Sequence, residues 1–212
     1  MNVNRMEPKK TAILFFDTLK GYWYTPEGSV KEAIRPMVDN AVRLMRGGRE
    51  AGIPIFFAKG NHRPDGATSA LLLTDTTMGS EPWPGGEVTR STPPHIRAGH
   101  YTSEVASELD PRPDDYYIPK YRWSAFHQTY LDLALRARGI DTLIIAGGST
   151  EVGIASTAYS GRDLDYHMII VRDACTTSHE QRSQDTLMDL IFPRMCRVRT
   201  TDQVLQMIRS AK

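Results

Sequence analysis

Short apolar runs alternate with segments of helical periodicity through most of this 212-residue sequence. The first run, residues 11–16, stops abruptly at Asp17, and an uninterrupted run of this length is typical of a strand buried on both faces. Strands that alternate with helices predict a mainly parallel sheet covered by helices on both sides. A closed barrel of this kind needs roughly 250 residues, so an open α/β sheet is favoured. The predicted strands are 11–16, 55–58, 116–118, 142–146, 168–171 and 197–199, and the predicted helices are 36–51, 127–138, 151–163, 181–190 and 202–208.

The stretch from His62 to Pro119 departs from this alternation. It holds 8 of the 13 prolines, which cannot donate a backbone hydrogen bond and which interrupt helices and strands alike. We expect most of this stretch to be loop, serving either as a binding surface or lid or as plain surface cover. No repeat or low-complexity segment divides the chain, and residues 1–212 are predicted to form a single domain.

The charge balance excludes several classes of partner. The formal net charge is +1, which does not supply the basic surface of a nucleic-acid groove or of a polybasic membrane patch.

The apolar runs are far shorter than the ~18 residues of a membrane-spanning helix. Residues 1–5 lead into the charged segment 7–10 rather than into an apolar stretch, so we expect no secretory signal and a cytoplasmic location.

Polar residues follow the predicted strands at the sheet edge where open α/β proteins bind their ligands. An acid and a lysine expected on adjacent strand ends, Asp17 and Lys120, predict a charged pair that takes part in proton transfer or stabilises a negative transition state. The alternative is that Asp17 caps a turn and that Lys120 is a solvated surface charge. The other strand ends carry Asn61, His62 and Arg63, a glycine-rich turn over 147–153, and Asp173.

The glycine-rich turn joins a strand to a helix over residues 147–153. Its amides are predicted to point at a ligand, because the start of a helix favours negative charge. It has neither the Gly-Lys-Ser/Thr of a nucleotide phosphate loop nor the Gly-x-Gly-x-x-Gly spacing. The alternative is purely structural, with Thr150 as an ordinary helix N-cap.

Several ordered motifs together resemble the isochorismatase-like (cysteine hydrolase) superfamily, and the resemblance runs from about residue 11 to residue 208. It implies a three-layer αβα fold, homo-oligomers, and hydrolysis of a small molecule such as an amide, an N-carbamoyl compound or an enol ether. The motifs are Asp17 after the first strand, Lys120-Tyr121-Arg122-Trp123-Ser124-Ala125-Phe126, Leu135-Arg136-Ala137-Arg138-Gly139-Ile140, Ser156-Thr157-Ala158 and Asp173-Ala174-Cys175.

The resemblance also implies roles for individual residues. The family's catalytic aspartate and lysine fall on Asp17 and Lys120, whereas its nucleophilic cysteine falls on Gly153. The glycine is expected to leave room for substrate or water where relatives have a thiol. The family's non-proline cis peptide falls between Gly148 and Ser149. The implied oxyanion turn comprises Gly148, Ser149, Thr150 and Gly153, and the implied substrate contacts are Asn61, His62, Arg63, Arg122 and Trp123.

Metal-binding members of the superfamily carry an Asp-x-His motif after the second strand. Here Gly60 stands at the Asp position, so we expect His62 to contact substrate or to be a loop residue rather than a ligand. We expect no metal and no cofactor. The two cysteines, Cys175 and Cys196, have no metal-site or disulfide spacing, and we expect them to be reduced core or near-core residues.

Three functions follow from this pattern. The first is cysteine-independent hydrolysis of an isochorismatase-type enol ether or a related bond, with Asp17 transferring the proton, Lys120 as its electrostatic partner and water as the nucleophile. The second is a carbon–nitrogen hydrolase, acting on amide or carbamoyl bonds, in which Ser149, Thr150 or Ser156 attacks in place of the thiol. The third is a relative that binds a small molecule without turning it over.

Overall fold

The computed structural model describes residues 3–177 and 180–211. Residues 1, 2, 178, 179 and 212, which include both ends of the predicted domain, lie outside the described part of the chain. The described residues contain one six-stranded sheet with the order β3-β2-β1-β4-β5-β6, in which every neighbouring pair is parallel. The strands are β1 (Thr11–Phe16), β2 (Ile55–Gly60), β3 (Tyr116–Lys120), β4 (Thr142–Gly148), β5 (His167–Thr176) and β6 (Arg197–Arg199).

Helices cover both faces of this sheet and confirm the predicted three-layer αβα architecture. Successive side chains of a strand point to opposite faces, so Phe15 packs with the core on one side and Phe16 with the core on the other. The helices are α1 (Lys20–Trp23), α2 (Arg35–Glu50), α3 (Leu131–Ala137), α4 (Ala155–Asp163), α5 (Gln181–Thr186) and α6 (Thr201–Arg209). The first core includes residues of α1, α2 and α6, and the second includes residues of α3 and α4. π-helical turns precede α4 at Thr150–Ile154 and follow α5 at Leu187–Ile191.

The helix predicted over 127–138 is shorter than expected, because α3 begins only at Leu131. Gln128 has a φ of 54°, a left-handed conformation that a right-handed helix cannot contain. The hydroxyl of Thr129 donates to the carbonyl of Ala125 at 2.5 Å and accepts from the amide of Leu131 at 3.2 Å. These local bonds compete with helical ones and form a turn instead.

The fifth strand is longer than predicted, which changes the position of Asp173. β5 continues to Thr176, after a register shift in its pairing with β4 between Ile145 and Gly147. Asp173 therefore lies inside the strand, and its expected place at the strand end is wrong. Its Oδ1 accepts from the amide of Thr201 at 2.8 Å and from the Thr201 hydroxyl at 2.9 Å, so the carboxylate stabilises the start of α6.

The proline-rich stretch between β2 and β3 is mostly loop, as predicted, with short 3₁₀ turns at Pro84–Gly86, Tyr101–Ser103 and Ser107–Leu109. It is held against the rest of the domain: the amide of Ala106 donates to the carbonyl of Thr18, just beyond β1, at 2.9 Å, and the Ile96 side chain is buried. Among the described helices, none combines the length and the apolar character that crossing a membrane requires.

Candidate active site

Asp17 is the first residue beyond β1, and it leaves the strand with a left-handed backbone. Its φ is 47°, a conformation that costs of the order of 1 kcal/mol or more for a residue other than glycine. The turn is held because the amide of Asp17 still donates to the carbonyl of Ala58 on β2 at 2.8 Å. The conformation places the carboxylate across the end of the sheet.

Both oxygens of this carboxylate are engaged. Oδ1 accepts from the amide of Gly60 at 3.0 Å, and Oδ2 lies 2.7 Å from Nζ of Lys120. The two side chains are only 12% and 9% exposed, so water screens this ion pair far less than it screens a surface pair. The predicted meeting of Asp17 and Lys120 is confirmed.

The two residues do not come from adjacent strands, which corrects the expected reason for their meeting. Lys120 ends β3, Asp17 follows β1, and β2 lies between them. Gly60 ends β2 directly opposite Lys120 in the parallel register. A Cβ at position 60 would lie 2.9 Å from Cγ2 of Ile96, closer than real Cβ atoms approach. A glycine here therefore lets Ile96 close over the strand end beside the ion pair.

The space beside Gly153 is filled, contrary to the expectation that it is open to substrate or water. A Cβ on Gly153 would stand 3.0 Å from Cδ1 of Phe16 and still closer to Cε1 and Cζ. Phe16 is 1% exposed, and the same ring lies under Lys120, whose Nζ is 4.5 Å from the ring centroid. The ring thus occupies the volume that any side chain at position 153 would need.

The glycine-rich turn has the backbone form that the resemblance implies, with a cis peptide between Gly148 and Ser149. Thr150 is not the N-cap that the structural alternative expected. Its hydroxyl donates to the carbonyl of Thr176 at 2.8 Å, and Ser149 precedes the π-helical turn without a side-chain capping bond. The turn is therefore tied to the end of β5.

Asn61 and His62, two of the expected substrate contacts, interact with Lys120, whereas Arg122 is exposed and acts on His62. The amide of Asn61 donates to the carbonyl of Lys120 at 3.1 Å, and its side chain donates to the Tyr121 hydroxyl at 3.3 Å. His62 is partly buried, and that burial, together with the positive charge of Lys120, lowers the pKa of its imidazole. Arg122 also lowers this pKa, and its guanidinium donates to the carbonyl of Thr68 at 2.9 Å.

The other two expected contacts are surface residues in this conformation. The guanidinium of Arg63 is paired with Asp65 at 2.7 Å, and both side chains are more than half exposed. Trp123 is 56% exposed. Their roles toward substrate stay predictions.

Neither cysteine is suited to nucleophilic attack. Cys175 lies inside β5, where burial raises the pKa of its thiol to about 12. Burial also raises the pKa of Cys196 to about 12. A thiol reacts through its thiolate, which is scarce at neutral pH when the pKa is this high. Within residues 3–177 and 180–211, no group of three or more His, Cys, Asp or Glu side chains is arranged to hold a metal ion.

The sequence did not single out Phe16 or Ile96, and it singled out Gly60 only as the position where metal-binding relatives carry an aspartate. The alternation of strand side chains places Phe16 on the face opposite Phe15, but nothing in the local pattern indicates that its ring reaches both Lys120 and Gly153. These contacts join residues more than 100 positions apart, and only the packed structure reveals them.

The sequence and the structure of this chain are both similar to those of isochorismatase family proteins. The family model for the isochorismatase domain matches residues 11–203. An isochorismatase family protein of Bacillus subtilis, YwoC, is 31% identical over 209 residues, which cover 99% of this chain and 100% of YwoC. The ureidoacrylate amidohydrolase RutB of Pseudomonas syringae is 28% identical over 80% of this chain and 72% of its own length. The structure of an isochorismatase family protein from Burkholderia thailandensis superposes with a TM-score of 0.80 and 25% identity, covering 98% of this chain and 100% of that one.

Proposed function

This chain belongs to the isochorismatase family of hydrolases, and we propose that it hydrolyses a small molecule without a cysteine nucleophile. In this proposal Asp17 transfers the proton, Lys120 is its electrostatic partner and water is the nucleophile. The observation that carries the proposal is the 2.7 Å ion pair between these two residues at the carboxyl edge of the sheet.

The absence of a usable thiol supports the cysteine-independent part. The family resemblance implies that the nucleophilic cysteine corresponds to Gly153, and the Phe16 ring occupies the adjoining volume. The two cysteines that the chain has are poorly ionised at neutral pH. Attack by water does not require a protein nucleophile at that position.

The pair can serve an isochorismatase-type reaction on an enol ether. In its protonated form, Asp17 delivers a proton to the vinyl carbon. Water adds to the resulting oxocarbenium ion and returns a proton to the Asp17 carboxylate, and the hemiketal adduct then breaks its carbon–oxygen bond to release a ketone and an alcohol. Lys120 stabilises the Asp17 carboxylate once the proton has left it. Asn61, whose amide donates to the carbonyl of Lys120, and His62, whose pKa the Lys120 charge lowers, are proposed substrate contacts together with Arg122.

A second candidate function is hydrolysis of a carbamoyl or amide carbon–nitrogen bond, and the likeness to a ureidoacrylate amidohydrolase favours it. It requires a hydroxyl that attacks in place of the thiol. The Thr150 hydroxyl is committed to the carbonyl of Thr176, which leaves Ser149 and Ser156 as the better candidates. Neither hydroxyl shares a hydrogen bond with Asp17 among the described contacts, so water remains the preferred nucleophile.

A hydrolysis screen tests the proposal. The panel contains isochorismate, N-carbamoyl compounds and simple amides, and it compares the wild type with Asp17→Asn and Lys120→Met. Asp202→Asn is the matched control, because Asp202 also pairs with a cation but lies on α6 at the surface. We expect turnover that both site variants abolish and the control retains.

The outcomes separate the candidate functions. Turnover of a carbamoyl compound or an amide that is lost in Ser149→Ala or Ser156→Ala supports the second function and overturns attack by water. Binding without turnover across the panel supports a ligand-binding relative, and activity that survives in Asp17→Asn contradicts the proposed role of Asp17.

We also propose that the protein forms a homo-oligomer, which rests on the family resemblance alone. Light scattering coupled to size exclusion measures the mass in solution. A mass of 23.8 kDa, that of one chain, overturns this proposal.

A further inference from the structure

We infer that Phe16 is a positioning residue for the Asp17–Lys120 pair, and that position 153 is a glycine because the Phe16 ring needs that space. The inference rests on the proposed function of the pair. Phe16 is neither charged nor polar, and it acts through Lys120 rather than through contact with the substrate.

The ammonium of Lys120 contacts both a carboxylate and an aromatic ring. The Nζ of Lys120 lies 2.7 Å from Oδ2 of Asp17 and 4.5 Å from the centre of the Phe16 ring. A cation at this distance from an aromatic face is attracted to it, and the attraction grows where water is excluded. Both the Lys120 side chain and Phe16 are nearly buried. The ring and the carboxylate therefore hold the ammonium together.

The position of the Phe16 ring depends on the residue at position 153. Phe16 directly precedes Asp17, and its ring lies against Gly153 in the π-helical turn of residues 150–154. Any Cβ at position 153 would overlap the ring edge. Protein interiors do not tolerate such overlap, so a side chain at position 153 displaces the ring and removes its face from Lys120. The identity of residue 153 thus controls the position of Lys120 through Phe16.

The test uses the accessibility of Lys120, which does not depend on knowing the substrate. Reductive methylation with formaldehyde and borohydride is followed by mass spectrometry of the peptide that contains Lys120. The variants are Phe16→Leu, which removes the ring face but keeps an apolar side chain, and Gly153→Ala, which forces the ring aside. Phe56→Leu is the matched control, because Phe56 is also fully buried in the same core but stacks on Tyr116 instead.

We expect Phe16→Leu and Gly153→Ala to raise the methylation rate of Lys120 by about tenfold over wild type, which corresponds to ~1.4 kcal/mol and lies within the range of a desolvated cation–π contact. The Phe56→Leu control is expected to change this rate less than twofold at a comparable loss of thermal stability. An unchanged rate in Phe16→Leu, or an equal rise in the control, overturns the inference.

A kinetic measurement on a substrate from the hydrolysis screen adds an independent readout. We expect Phe16→Leu to lower kcat by about tenfold with KM within twofold, because the ring acts on the reacting pair and not on substrate binding. If no substrate is turned over, the proposed function fails while the methylation result still decides the role of Phe16. If turnover depends on Asp17 but methylation does not respond to Phe16, the function stands and this inference fails.

Discussion

The carboxylate of Asp17 and the ammonium of Lys120 lie 2.7 Å apart although β2 separates the strands that carry them. The Lys120 side chain crosses the end of β2 at Gly60, which has no side chain. The amide of Gly60 donates a hydrogen bond to the same carboxylate at 3.0 Å. The ion pair therefore depends on three neighbouring strand ends rather than on two.

Removing one member of this nearly buried pair is expected to destabilise the protein as well as inactivate it. Asp17→Asn leaves the Lys120 charge without its counter-ion, and unpairing a buried charge costs about 3–5 kcal/mol. The double variant Asp17→Asn/Lys120→Met removes both charges, so we expect it to lose less free energy of unfolding than the sum of the single variants. Urea titrations measure these values. Strict additivity contradicts a coupled pair, and all three variants are expected to be inactive.

Alkylation of the native protein is expected to leave its activity intact. Burial raises the pKa of both Cys175 and Cys196 to about 12. At pH 7 almost none of either thiol is therefore in the thiolate form that reacts with iodoacetamide. Mass spectrometry is expected to show little labelling of the folded chain and labelling of both thiols in urea. Loss of activity in parallel with labelling of Cys175 in the folded state implicates a thiol and contradicts cysteine-independent hydrolysis.

Introducing a cysteine at position 153 is expected to destabilise the protein unless Phe16 also changes. Gly153→Cys forces its side chain into the Phe16 ring, and overpacking of this kind costs about 1–3 kcal/mol. Phe16→Val/Gly153→Cys vacates that volume, so we expect the double variant to recover stability and to show weak amide hydrolysis with Asp17 as the base. Thermal melts and amide assays of both variants check this. Full stability of the Gly153→Cys single variant would falsify the packing argument.

The stability of the protein is expected to fall on acidification partly because of His62. Burial and the Lys120 charge lower the pKa of His62 in the folded state, so the unfolded chain binds its proton more readily. Stability therefore decreases as pH falls below the unfolded value of about 6.5. His62→Gln removes this contribution, whereas His167→Gln changes an exposed residue and serves as the control. Urea midpoints of wild type and both variants are compared at pH 7.5 and pH 5.5. Equal pH dependence of the midpoint in wild type and His62→Gln contradicts the contribution of His62.

Asp173 is expected to matter for folding and not for turnover. Its carboxylate accepts two hydrogen bonds from Thr201 at the start of α6. Thr200 is the N-cap of this helix, and Asp173 adds acceptors for its first residue. Loss of a side-chain acceptor at a helix start costs about 1–2 kcal/mol, so Asp173→Ala should lower the melting temperature by about 2–8 °C. Its kcat/KM on the identified substrate is expected to stay within twofold of wild type. A hundredfold loss of kcat/KM in the folded variant would place Asp173 in the chemistry after all.

The order of elements, the parallel sheet and the edge that carries Asp17 and Lys120 follow from the sequence, because burial on two faces leaves a periodic record along each strand and helix. The start of α3 was missed because a single left-handed residue, Gln128, ends the helical path without disturbing the apolar spacing. The end of β5, and with it the place of Asp173, was missed because a register shift carries no periodic signal.

The tertiary structure alone decided what fills the space around the ion pair. The sequence indicates that Gly153 lacks a side chain, but only packing shows that Phe16, far away in the chain, takes that volume and lies under Lys120. The same holds for Gly60 and Ile96. Local sequence determines which face a side chain points to, whereas the atoms it meets there come from other elements and depend on how those elements pack together.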